Sequence, residues 1–204
     1  DPSAYFHTQL YAGDASGNAQ NITNDANAGD FKPDWLWIKE RTSTSNHMIM
    51  DSTRKGNYNR IMTNSSDAEI TSDPAVLPLT DGFSVADSDG GLNQASQTYV
   101  AWQWKCNGGT RTTYSESGDN PAGGYQANTT AGFSIVDWTG TGGAGGTAAH
   151  GLGAVPHVII TKTRSHANDW AVYHHKNTSA PETDYLVLNS TAATVDNVNR
   201  WNDT

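Results

Sequence analysis

The chain has 204 residues and carries a net charge of -9 at pH 7, a balance that argues against nucleic-acid binding by phosphate neutralisation, which needs a basic face. Charged residues make up only 16%, while Gly, Ser, Thr, Asn and Asp abound; this composition fits short strands joined by many turns and argues against long helices. No stretch approaches the run of about 20 apolar residues that spans a membrane as a helix, and the single cysteine, Cys106, excludes an intrachain disulfide framework.

The first predicted element is "DWLWIKER", beginning at Asp34. Strand alternation would place Trp35, Trp37, Lys39 and Arg41 on one face and Leu36, Ile38 and Glu40 on the other. "TSTSN" then turns the chain into "HMIMD", a hairpin with a loop of about five residues. Further strands are predicted at "RIMT", "DGFSVAD" and "TYVAWQW". "DSDGG", beginning at Asp87, resembles the start of a calcium loop but lacks the downstream carboxylate an EF-hand requires, so a turn is expected. Residues 107–131 show no periodicity and read as a Gly/Ser/Thr-rich linker or long loop.

Beyond them, "GFSIVDW" reads as a strand. The run "TGTGGAGGTAAHGLG" has no Lys-Ser/Thr ending and no helix pattern after it, so it reads as a strand connection rather than a phosphate loop. "VPHVIITKTRSHANDWAVYHH" repeats the design of "KPDWLWIKERTSTSNHMIMDS": two apolar residues, then Lys162 and Arg164, then a polar turn and a second strand. "DYLVLN" is the last predicted strand.

These two passages align on Pro33 and Pro156, which matches Lys39 with Lys162 and Arg41 with Arg164. The alignment extends upstream, with Phe6 on Phe133 and Gly13 on Gly140, and downstream, with Asn64 on Asn189 and Ser65 on Ser190. An internal duplication into units of roughly a hundred residues is therefore expected. The predicted fold is all-β: tandem antiparallel β-sandwich units, jelly-roll or lectin-like, at residues 1–106 and 132–204. Nothing after Asn189 corresponds to "DGFSVADSDGGLNQASQTYVAWQW", so the second sandwich is expected to be incomplete, either as part of a longer polypeptide or completed by a partner strand.

Candidate chemistry is sparse. The adjacent His174 and His175 would point to opposite faces of a strand, an arrangement wrong for joint metal binding. No His, Asp or Ser lies in a nucleophile elbow, and Cys106 reads as a small residue at a strand end. No catalytic residue, metal or cofactor is assigned. Asn-X-Ser/Thr sequons occur about as often as chance gives. The tryptophans are ambiguous between core and exposed platform, and Trp35 and Trp37 are the strongest candidates for exposure because their face turns cationic at Lys39 and Arg41. Trp35, Trp37, Lys39, Arg41, Lys162 and Arg164 form the candidate set for ligand binding or a subunit interface.

Taken in order, "KPDWLWIKERTSTSNHMIMDS", "DGFSVADSDGGLNQASQTYVAWQWK", "TAGFSIVDWTGTGGAGGTAAHGLGAVPHVIITKTRSHANDWAVYH" and "DYLVLNST" resemble a repeated β-rich domain of virion proteins in tailed bacteriophages, many of them marine. The resemblance implies a non-enzymatic building block of a tail fibre or tail appendage on the virion surface. It also implies assembly with other copies, as a homotrimer or another symmetric particle, and with other virion proteins. A contribution to host attachment, with a surface glycan as partner, is the expected role, reached by avidity over repeated modules; neither nucleic acid nor membrane insertion is expected. The alternatives are a carbohydrate-binding module of a secreted cellular protein and a capsid decoration protein, with a glycan-degrading enzyme as a distant third.

Overall fold

The computed structural model describes residues 1–14, 16–25, 30–54, 59–71, 75–86 and 91–201. Its strands are β1 (Phe6–Ala12), β2 (Gln20–Ile22), β3 (Trp35–Glu40), β4 (Met48–Asp51), β5 (Ile61–Met62), β6 (Val76–Pro78), β7 (Phe83–Val85) and β8 (Thr98–Trp104), followed by β9 (Thr112–Tyr114), β10 (Gly123–Asn128), β11 (Phe133–Trp138), β12 (Val158–Thr161), β13 (Ala171–His174), β14 (Asp184–Val187) and β15 (Val195–Asp196). Every strand pairing with a described register is antiparallel, and the chain is all-β as predicted. The chain forms two compact units: unit 1 comprises residues 1–60 and 70–153, unit 2 residues 61–69 and 154–204. The expected boundaries at 106 and 132 do not coincide with this division.

In unit 1 the larger sheet runs β1-β8-β3-β4 and a smaller one β2-β7-β6. Alternation on β3 and β8 turns Leu36, Ile38, Tyr99 and Ala101 toward one face, where they meet Ile22, Val76, Phe83 and Val85 of the smaller sheet in a single buried cluster. Two antiparallel sheets with their apolar faces together make a sandwich. Each fully buried aliphatic or Phe side chain here contributes about 1.5–3 kcal/mol by leaving water. The β6–β7 turn needs Gly82, whose φ is +81° and where a Cβ would sit 2.1 Å from the Ile22 carbonyl oxygen.

The segment 107–131, expected to be a linker or long loop, instead supplies β9 and β10, which with β11 form a third sheet in the order β11-β10-β9. Polar anchors replace apolar periodicity there. The buried Asp34 carboxylate accepts from the backbone N–H groups of Cys106 (2.8 Å) and Gly108 (3.0 Å) and from Ser52 Oγ (2.8 Å). The fully buried Gln126 of β10 donates to Ser52 Oγ (2.8 Å) and Thr53 Oγ1 (3.0 Å), and Asn128 donates to the Cys106 carbonyl (3.0 Å). Gly124 is required on β10 because Arg111 lies across it, in bidentate contact with Asp137 of β11 at 2.8 Å; a Cβ at Gly124 would come within 2.5 Å of the guanidinium carbon.

The glycine-rich run after β11 contains no strand and drapes on the turn at Asp119 and Asn120. Thr141 Oγ1 donates to the Asp119 carbonyl (3.2 Å), and the Thr147 N–H and hydroxyl donate to Asn120 Oδ1 (2.8 and 3.0 Å).

Unit 2 is built on one sheet, β12-β13-β14-β15. Among its described residues, the buried side chains are few: Ile61, Thr63, Trp170 and Ala171. Segment 61–69 is strapped on by the Trp170 indole N–H to the Met62 carbonyl (2.9 Å), by backbone bonds Glu69 to Arg164 (2.9 Å) and Asn168 to Ser66 (2.8 Å), and by the Arg164–Glu69 ion pair (2.7 Å). The hairpin loops are wider than the five residues expected, spanning 41–47 between β3 and β4 and 162–170 between β12 and β13.

Candidate functional site: an aromatic face

The face of the larger sheet turned away from the core is aromatic. Registers Phe6↔Trp104↔Trp35 and Thr8↔Trp102↔Trp37 place these side chains side by side across β1, β8 and β3. Trp104 lies 4.6 Å from Phe6 and 4.6 Å from Trp35, the second contact nearly perpendicular at 77°. Trp37 stands 5.9 Å from both Trp35 and Trp102. Phe133 of β11 closes one end, stacked on Trp104 at 5.6 Å and 23°. Edge-to-face contacts of this kind are the favoured geometry for aromatic quadrupoles.

The four indoles are half-buried, while Phe6 (38%) and Leu10 (54%) on the same face stand exposed. A shallow, open depression of about 330 Å³ lies beside Phe6 and Trp104, bordered by Asp1, Pro2, Tyr5, Thr130 and Ala131. The Trp37 indole N–H is buried and has no hydrogen-bond partner among the described residues.

Trp35, Trp37 and Lys39 thus share a face as the alternation predicts, but the cations do another job. Lys39 Nζ donates to the carbonyls of Glu40 and Ser43 (2.9 Å to Ser43), clasping the loop that follows β3. Lys162 does the same after β12, donating to the carbonyls of Thr163 (2.6 Å) and His166 (3.4 Å). β3 ends at Glu40 and β12 at Thr161, so Arg41, Lys162 and Arg164 lie beyond the strands; Arg41 is exposed and Arg164 is held by Glu69.

The last residue of β3, Glu40, is a buried acid whose partners come from the loop that follows it. Burial pulls the Glu40 carboxyl upward, but hydrogen bonds from Ser45, Ser43 and Thr42 and the Lys39 charge outweigh it, leaving the group below the usual carboxylate range. His47, 6.4 Å from Trp37, is held below its ordinary value by burial and by the Lys39 charge.

In unit 2, β13 ends at His174, and His175 beyond it stacks flat on His157 at 4.0 Å and 7°, with its N–H bonded to the His157 carbonyl (2.9 Å). Sequence reading tested the adjacent His174 and His175 for joint metal binding and did not set His175 against His157; that stack depends on the β12–β13 register, Val158↔His174. Among the described residues, no three His, Cys, Asp or Glu are arranged to hold a metal ion. Asp87–Gly90, the start of the calcium-loop resemblance, lies outside the described residues. Cys106 is buried, and desolvation together with the nearby Asp34 and Asp51 charges pushes its thiol far up, the reverse of what activates a thiolate.

One family matches this sequence, along residues 1–204. The chain belongs to the family described as Domain of unknown function (DUF7483). No curated protein and no solved structure matches it. The DUF7483 match runs through both aligned passages and through the segment between them. On this DUF7483 chain the sequence reading picked out Trp35 and Trp37 but missed that Trp102, Trp104, Phe6 and Phe133 complete their face. The "TYVAWQW" alternation carried that signal, since its tryptophans and those of "DWLWIKER" are spaced alike.

Proposed function

We propose that this chain is a non-enzymatic structural and recognition module of a tailed-phage virion, in a tail fibre or tail appendage, contributing to attachment through the aromatic face of its larger sheet. The observation that carries the reading is the ladder Phe6–Trp104–Trp35, whose indoles are half-buried and whose Phe6 stands exposed. Rigid, half-exposed indoles suit the apolar faces of sugar rings, and they bind at low entropic cost because packing already fixes them. The motif order that resembles phage virion domains supplies the particle context, with copies of the chain in a symmetric assembly multiplying weak contacts.

The same aromatic face favours a second reading, a carbohydrate-binding module of a secreted cellular protein. Both share the ligand class, and location separates them. Titration with host-surface polysaccharide should quench Trp fluorescence, and Trp104→Ala should weaken binding at least about tenfold, or ~1.4 kcal/mol. Affinity unchanged by Trp104→Ala would remove the aromatic face from the reading. Immunogold labelling of particles at the distal tail supports attachment; label over the capsid makes the chain a decoration protein, and absence of label from particles leaves the cellular module.

A further inference from the structure

The two aligned passages differ in what lies beside them. In unit 1, β3 is paired on both sides, with β4 and with β8. In unit 2, β12 pairs with β13 as β3 pairs with β4, antiparallel in both cases, and Lys162 clasps its loop as Lys39 does. Among the described residues, however, nothing pairs with the other edge of β12. Its outward apolar side chains, Val158 (49%) and Ile160 (42%), are exposed, whereas the matching Trp35 and Trp37 are half-buried beside Trp104 and Trp102. An open edge with exposed β-branched residues is a template for strand addition.

We infer that the free edge of β12 is a binding site for an extended segment with the chemistry of β8, docked antiparallel. The occupant carries large apolar side chains at every second position. By the β3–β8 register it sets them opposite Val158 and Ile160, as Trp104 and Trp102 stand opposite Trp35 and Trp37, with the residue matching Val100 opposite Lys162. The β8 of a second copy is not the donor, because β1 and β3 already occupy both of its edges. The occupant is therefore a strand of a partner polypeptide that presents the same alternation and has a free edge of its own. The inference stands on the likeness of the two passages and is independent of the attachment reading.

The test uses the full chain and a synthetic peptide of the Gln97–Lys105 sequence, extended by solubilising lysines, read by amide hydrogen exchange. Saturable slowing of exchange at Val158–Thr161, lost with a peptide of the same composition but scrambled order, is the expected result. Ile160→Lys, at an exposed position, should weaken peptide binding at least tenfold while leaving the thermal midpoint of the free chain unchanged. Equal protection by the scrambled peptide, or none by either, overturns the inference. So does a free chain that is already dimeric with β12 protected, since a second copy would then be the occupant.

Discussion

At the scale of single residues, alternation on β3 separates two kinds of apolar side chain that hydropathy cannot tell apart. Leu36 has no exposure and packs between the two sheets, so Leu36→Ala should cost about 2–5 kcal/mol, measured as a loss of denaturation free energy. Trp37→Ala, on the half-open face, should cost less than Leu36→Ala despite removing a larger group; an equal or greater loss would show that this face is sealed in solution. Gly82→Ala forces an L-residue into left-handed backbone, at roughly 1–2 kcal/mol, and drives its Cβ against the Ile22 carbonyl, so the measured loss should exceed that figure. His47 supplies a pH dependence. Its pKa is lowered by folding, so between the folded value and the ordinary value near 6.5 the unfolded chain binds more protons and stability rises with pH. Acidification through that window should therefore lower the melting temperature, and His47→Gln should flatten that part of the profile. Glu40, also lowered by folding, contributes stability that is lost at lower pH, as its carboxylate protonates.

At the scale of elements, the strands with strict alternation were legible from sequence, and those held by polar side chains were not. "DWLWIKER" and "TYVAWQW" announce β3 and β8, including which residues share a face. They do not announce which face is core, because both sides are apolar and the decision rests with the short sheet β2-β7-β6 packing on the Leu36 side. β9 and β10 escaped detection because Thr112, Gly123, Gly124 and Gln126 show no apolar periodicity; their placement comes from Asp34, Gln126 and the Arg111–Asp137 pair. Asp34→Ala would leave the buried Cys106 N–H without its acceptor and take away those of the Gly108 N–H and the Ser52 hydroxyl. With a typical penalty of about 1–3 kcal/mol for each buried group so orphaned, exchange protection should fall first in β9–β10 and only later in β3 and β8. A uniform loss across all four strands would show instead that these sheets open as one cooperative body. The cation pattern was legible as a pattern, and Lys39 does share the Trp35 and Trp37 face, whereas the strand ends that leave Arg41, Lys162 and Arg164 beyond β3 and β12 depend on pairing that sequence does not reveal.

At the scale of the whole chain, the two units differ in how much they bury. Unit 1 encloses a two-sheet core of a dozen buried residues, whereas unit 2 has a single sheet with Trp170 and Ala171 as its buried centre. Local opening free energy follows apolar burial, so amides of β13 should exchange faster than those of β8, and limited proteolysis should nick residues 154–204 before 1–60. Protection of β13 equal to that of β8 would contradict the thin core.

The aromatic ladder also makes the chain its own optical probe. Trp35 and Trp104 lie 4.6 Å apart at 77°, close enough for their ultraviolet transitions to mix and oblique enough for the mixture to rotate polarised light. Circular dichroism should therefore carry a paired positive and negative band that weakens when either indole is replaced, the remainder coming from the Trp35–Trp37 and Trp37–Trp102 pairs at 5.9 Å. That signal depends on β3 and β8 holding their register, so it reports sheet geometry without any added label.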